Sequence, residues 1–247
     1  MAGRTVPYRV PMSTRSGDTR AGEPRRPPFD AEAARRCREA LGMTPAHVAY
    51  GIWAAYGMRV PAATVASWES GESAPTESEL TALAGALWCA PGDLIGTPGT
   101  LREYRLAAGL APDGLASAIG MDQAAYERLE AGGRWRGNDR QAAALAEALG
   151  LPLPALLRFT GRDPALTELL ISAVTGRWQG YVRPVGKLVP LPRQRIQDVL
   201  RELHAEYQAA MTTTLNWGGG DGAEESGEAG RAFLDRILAE FWARTGQ

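Results

Sequence analysis

The chain has 247 residues, 45% of them hydrophobic and 22% charged, with a net charge of −1. That is enough to bury one or two real cores, with the balance of an ordinary globular protein. The near-neutral total excludes a whole-molecule attraction to polyanions, so any nucleic-acid role must rest on local charge.

Charge does vary along the chain. Residues 1–28 carry six Arg against two acids and read as a disordered basic arm rich in Pro, Ser and Gly. Residues 29–98 carry four Arg against eight acids, while 99–161 balance. Lys187 is the only lysine, a bias toward Arg that, with abundant Ala and Gly, points to a GC-rich genome. Cys37 and Cys89 form no C-x-x-C motif and are expected as buried free thiols, and His47 and His204 are solitary, so no metal is expected. The N-terminal arginines lack an apolar run behind them, and the uncharged stretch 40–58 is too interrupted to span a bilayer. A cytoplasmic protein is expected.

Helices are predicted in chain order over Phe29–Leu41, Pro45–Tyr56, Pro61–Ser70, Thr76–Leu87 and Pro91–Ile95. Asp30 is available to cap the first, proline opens the second and third, and Thr76 with Glu79 forms a capping box for the fourth. The same order returns over Thr100–Ala108, Pro112–Ile119, Asp122–Ala131, Asn138 or Asp139 through Leu149, and Leu153–Phe159. Glu79–Gly96 against Arg140–Leu157 is the clearest part of this internal duplication. Beyond it, Pro164–Val174 reads as helix and Trp178–Pro192 as a strand-like hairpin or extended linker. Arg193–Thr213 reads as a long amphipathic helix, Asn216–Gly230 as a mobile Gly- and Glu-rich stretch, and Arg231–Arg244 as a last helix.

Two stretches, VASWESGESAP (Val65–Pro75) and YERLEAGGRWR (Tyr126–Arg136), share an apolar residue, a Glu, a small residue and a Gly. With LREYRLAAGL ahead of the second, the five-helix blocks resemble the phage-repressor type (Cro/CI, XRE) helix-turn-helix family, in an actinobacterial-type bacterial form. The resemblance covers roughly residues 30–161. It implies an all-α fold of two tandem five-helix lambda-repressor-like bundles, followed by a mainly helical C-terminal region. The expected divisions are an arm at 1–28, a first domain at 29–98, a second at 99–161 and a C-terminal part at 162–247.

The resemblance also implies a structural ion pair in each copy, Arg38 with Glu69 and Arg105 with Glu130. Losing one partner of such a partly buried pair would strand a charge. Trp68 and Leu129 should then pack inward while the Glu locks the helix. The second pair has the family's usual separation of 25 residues; the first is separated by 31. Its six extra residues fall in HVAYGIWAAYGMRVP, so either helix 2 is lengthened or the turn becomes a loop.

In that family helix 3 enters the major groove. The carried-over candidates in copy one are Arg59, Ala62, Thr64 and Ser67, beside Pro61 and Ala63. In copy two they are Gln123, Ala124 and Arg128 beside Asp122 and Ala125, with Arg134, Arg136 and Arg140 in and after the following loop. Gln can read adenine, Arg can read guanine or phosphate, and small apolar groups can touch a thymine methyl. Equally, Gln123 and Arg128 are what a solvated helix face carries. Both copies have Pro (Pro45, Pro112) where the family has Gln at the start of helix 2.

No catalytic, metal or cofactor set emerges. The expected function is a DNA-binding transcription regulator, by family default a repressor, acting on double-stranded DNA as a homodimer. Two rivals remain. One is a protein-interaction module, favoured by the acidic first block. The other is a regulator sensing a small-molecule effector, with Trp178, Tyr181, Trp217 and Trp242 lining a pocket rather than filling a core.

Overall fold

A computed structural model describes residues 26–212 and 222–246, so most of the expected basic arm, and Trp217, lie outside the described residues. Among those residues there are fourteen α-helices and no strand, the all-α architecture expected.

The first block contains α1 (Ala31–Ala40), α2 (Pro45–Tyr56), α3 (Ala62–Glu69), α4 (Glu77–Ala86) and a 3₁₀ turn, Pro91–Leu94. Local chemistry sets most of these starts. The Asp30 carboxylate accepts from the Ala33 amide, Thr44 and His47 form a reciprocal cap, and so do Thr76 and Glu79. The apolar faces meet in one core that includes Ile52, Val65, Trp68, Leu80, Leu83 and Leu94. The six-residue insertion resolves into a helix and a turn. Helix α2 has 12 residues, where its later counterpart has 7, so nearly all of the extra length is helical and the turn grows by about one residue. Its added end is seated by Tyr56, whose phenol lies against Gly85 of α4 and leaves no room there for a Cβ.

The second block contains α5 (Leu101–Ala107), α6 (Pro112–Ala118), α7 (Gln123–Glu130), α8 (Asp139–Leu149) and α9 (Leu153–Phe159). Leu101, Leu115, Tyr126, Leu145 and Leu149 are among the buried residues of a separate core. Helix α8 ends on Gly150 at φ +57°, a left-handed position that glycine takes without a Cβ clash. At the matching end of α4 stands Trp88, also at φ +57° and 84% exposed.

The blocks are joined rather than strung. Leu106 of α5 packs in the first core, and Glu77 of α4 pairs with Arg102 and, at 3.5 Å, with Arg105. The two cysteines, distant in sequence, also meet: burial, then the neighbouring Cys37 thiol, pushes the Cys89 thiol up to about 12.

The C-terminal part contains α10 (Asp163–Thr175), a 3₁₀ turn (Trp178–Tyr181), α11 (Val182–Leu188), α12 (Arg193–Thr212), α13 (Gly222–Asp235) and α14 (Ile237–Thr245). Residues 178–192 are therefore neither hairpin nor linker. Val182, Val185 and Val189 recur at helical spacing, and burying them together with Ile196, Val199 and Leu200 overrides the β preference of valine. The stretch 216–230 is not wholly a mobile connector, because α13 begins at Gly222. Nor is the last helix continuous: α13 stops at Asp235 and α14 starts after Arg236. The break keeps Phe233, Ile237, Phe241 and Trp242 all buried in the core that holds α12. These helices thus pack apolar faces against one another in one core within the chain.

Candidate nucleic-acid interface

The two expected ion pairs are both present and have the same design. In the first block Arg38 Nε donates to Glu69 Oε1 at 2.7 Å, its Nη2 to Oε2 at 2.8 Å, and its Nη1 to the Met43 carbonyl at 2.8 Å. In the second, Arg105 Nε donates to Glu130 Oε1 at 2.6 Å, its Nη2 to Oε2 at 3.3 Å, and its Nη1 to the Leu110 carbonyl at 2.8 Å. Each guanidinium fork ties the end of one helix to the carboxylate of another and to the carbonyl five residues on. Burial would lower the basicity of Arg105, but its bonds to Glu130 outweigh that and hold it raised. Trp68 and Leu129 pack inward beside these carboxylates, as expected. Two additions could not be read from the motif. Arg35 Nη2 donates to the Glu69 carbonyl at 2.9 Å, and the Tyr126 hydroxyl donates to Glu130 Oε1 at 2.6 Å.

What the second clamp positions is the outer face of α7. The turn before it passes through Gly120 at φ +64°, and Asp122 caps α7 by accepting from the Ala125 amide at 3.0 Å. Tyr126 and Leu129 take the inner face, so Gln123, Ala124, Glu127 and Arg128 are exposed. Gln123 is not unattached: its Nε2 donates to Glu127 Oε1 at 2.8 Å, one helical turn on. Glu127 was absent from the sequence candidates, although its i,i+4 spacing from Gln123 was legible.

The loop after α7 explains why a tryptophan sits between two arginines. Gly133 donates to the Arg128 carbonyl at 2.8 Å, and a Cβ on Gly133 would stand 2.5 Å from that oxygen. The chain therefore doubles back along α7. Trp135 is half-buried against the second core, with Gly137 against its ring, while Arg134 and Arg136 remain exposed. Asn138 and Gln141 cap α8 reciprocally, and Gln141 Nε2 reaches the Gly120 carbonyl at 2.6 Å, tying α8 to the turn before α7. The result is an open cleft of about 410 Å³ on whose walls Arg128, Arg134 and Arg136 converge. None of the three has an ion-pair partner among the described residues. Arg140 is exposed on the first turn of α8 and does not line the cleft.

The first block builds no counterpart. Arg59 is exposed in the turn before α3, but Ala62, Thr64 and Ser67 are half-buried. The Ser67 hydroxyl is engaged with that of Ser73 at 2.7 Å in a part-buried bond, which occupies it on the face expected to read bases. The loop after α3 carries Glu72 and no arginine.

The aromatic pocket imagined for the C-terminal part is not formed by the described residues. Trp242 is buried, and Trp178 and Tyr181 pack half-buried against the same core. Among the described residues no helix is long and apolar enough to cross a membrane. Residues 99–159, spanning α5 to α9, match the family model described as a helix-turn-helix domain. No curated protein and no solved structure matches the chain. The match falls on the block that holds the arginine cleft, and it supports placing that block among DNA-binding helix-turn-helix domains.

Proposed function

We propose that this protein is a cytoplasmic bacterial transcription regulator of the XRE type that binds double-stranded DNA through α7, with repression as its mode and a homodimer as its working form. The observation that carries this reading is the convergence of Arg128, Arg134 and Arg136 beside the exposed start of α7. Three cations with no acid paired to them suit phosphate, and Arg128 lies close enough to the helix face to reach a base edge. Ala124 supplies a small apolar contact, and Gln123 would have to exchange Glu127 for adenine. The first block acts as a scaffold in this reading, because its Ser67 hydroxyl is taken up by Ser73 and its charge is acidic. A regulatory rather than enzymatic role completes the proposal.

The test is a gel shift on genomic fragments selected by the wild-type protein. The Arg128→Ala, Arg136→Ala double variant should lose the shift while its far-UV helicity stays unchanged; an undiminished shift would refute the assignment.

A second reading, in which the duplicated fold does not bind DNA and docks another protein instead, has its own support in the first block. Tyr50, Trp53 and Tyr56 recur at three-residue spacing along α2 and are all exposed, with the Tyr50 and Trp53 rings 5.7 Å apart. Trp88 adds an exposed indole in a backbone conformation that costs an L-residue about 1–2 kcal/mol. Strain kept at a solvent-facing aromatic points to a use for that aromatic. Steep loss of duplex affinity with rising salt separates the readings, since a protein-docking module shows none.

A further inference from the structure

The C-terminal part carries a charge block that DNA reading by α7 does not use. Between Glu168 and Asp198 there are five bases and no acid. Arg183, Lys187 and Arg193 are exposed and line a single cleft of about 560 Å³ whose remaining lining is Val182, Gly186, Leu191 and Ile196. Three cations thus surround an apolar floor whose accessible part is Gly186 and Leu191; no acid lines this cleft, and Glu168 lies in the adjoining one that Arg183 and Lys187 also line.

The sequence of α11 shows that this surface is not what helix stability alone would select. Arg183 and Lys187 are like charges at i,i+4, a spacing that opposes helix formation. Gly186 sits mid-helix, where glycine is a poor choice. Its backbone does not adopt a left-handed conformation, and a Cβ there would make an ordinary 3.4 Å contact with Ile196 Cδ1. Neither torsion nor crowding therefore demands glycine at 186; what it leaves is open space at the base of the cleft. The volume falls within the roughly 300–1,000 Å³ of small-molecule sites, which combine apolar walls with a few polar groups.

We infer that this cleft binds a small amphipathic anion, with its phosphate or carboxylate head held by Arg183, Lys187 and Arg193 and its hydrocarbon tail lying over Gly186 against Leu191, where Val182 and Ile196 close the base from the core side. A bare phosphodiester backbone would match the cations but make no use of the floor. The inference is independent of DNA binding by α7: if duplex binding fails and anion binding holds, only the regulator reading falls.

The test is calorimetry on the full chain with octyl phosphate below its micelle-forming concentration, inorganic phosphate and octan-1-ol. Octyl phosphate should bind saturably, with each of the other two at least tenfold weaker. The R183Q/K187Q/R193Q variant should lose at least tenfold in octyl phosphate affinity. G186L, which fills the floor and keeps every cation, should lose as much. If G186L lowers the melting temperature, the charge variant, altered only at exposed positions, carries the decision. Four results would overturn the proposal. Inorganic phosphate could bind as tightly as octyl phosphate, or the charge variant could keep full affinity. The protein could sediment with phosphatidylglycerol vesicles while ignoring free octyl phosphate. Lastly, the charge variant could flatten the salt dependence of duplex binding while octyl phosphate binding stayed as in wild type, marking a nucleic-acid surface.

Discussion

The two five-helix blocks hold their third helices by nearly the same guanidinium fork, yet they present opposite surfaces. Arg38 with Glu69 and Arg105 with Glu130 share donors, acceptors and the extra carbonyl five residues on. Outside the clamp the second block converges three arginines, whereas the first ties Ser67 to Ser73, exposes an aromatic stripe on α2 and puts tryptophan where its twin has Gly150. A conserved internal brace leaves the outer face free to diverge, because the interior carboxylate constrains only the inward half of each helix. The brace therefore speaks to fold, and the outer residues to use.

The largest effect should come from the brace. Arg105→Ala leaves the half-buried Glu130 with only Tyr126 and takes from Glu77 one of its two cationic partners, so unfolding should become easier by about 3–5 kcal/mol, measured by urea titration. A cost below that of Arg38→Ala would break the idea that Arg105 serves both blocks. Next, the double variant at Arg128 and Arg136 should weaken specific duplex binding by about 100-fold, roughly 3 kcal/mol at 1.4 kcal/mol per decade. Fluorescence anisotropy should also show its salt slope falling by about two. Tyr126→Phe removes a hydrogen bond to a charged acceptor and should cost about 1.5–3 kcal/mol. No matching variant exists in the first block, where Val65 occupies the equivalent position. Arg59→Ala should change duplex affinity less than about twofold, since the first block makes no arginine cleft; a tenfold loss would show that both blocks grip DNA.

The smallest effect is alkaline. The Cys89 thiol is raised in the fold from its ordinary 9.0 to about 12, so the stability tied to its neutral form is complete below pH 9 and is lost as pH climbs toward 12. Tyr126 is likewise raised, by burial and then by its bond to Glu130, from an ordinary 10.0. The first block should therefore weaken between pH 9 and 10 before Tyr126 of the second begins to contribute. Cys89→Ala should remove that early loss in urea titrations at the two pH values.

Much of this is legible in the sequence itself, for a physical reason. Helix starts are set within four residues by Asp30, Thr44, Thr76, Asp122 and Asn138, and those signals lie in the string itself. The Arg–Glu clamps follow from resemblance and spacing. What failed was tertiary. The valines of α11 look like strand residues until α12 is there to bury them. The Ser67 hydroxyl's engagement depends on Ser73 in a loop, and the meeting of Cys37 with Cys89 depends on the bend after α4 closing against α1. The arginine cleft needed Gly133 to reverse the chain, which placed Arg134 and Arg136 beside Arg128 rather than beyond it.

The joint at Glu77 bears on how the protein can be dissected. A fragment beginning at residue 99 would strip the carboxylate from Arg102 and Arg105 and bare the Leu106 side chain to water, whereas one ending at 98 would open the first core at the site Leu106 fills. Isolated halves would thus report the damage of the cut as well as their own properties, and because Leu157 of α9 is buried in the C-terminal core, expression trials are better begun at residue 26 and carried through that core as well.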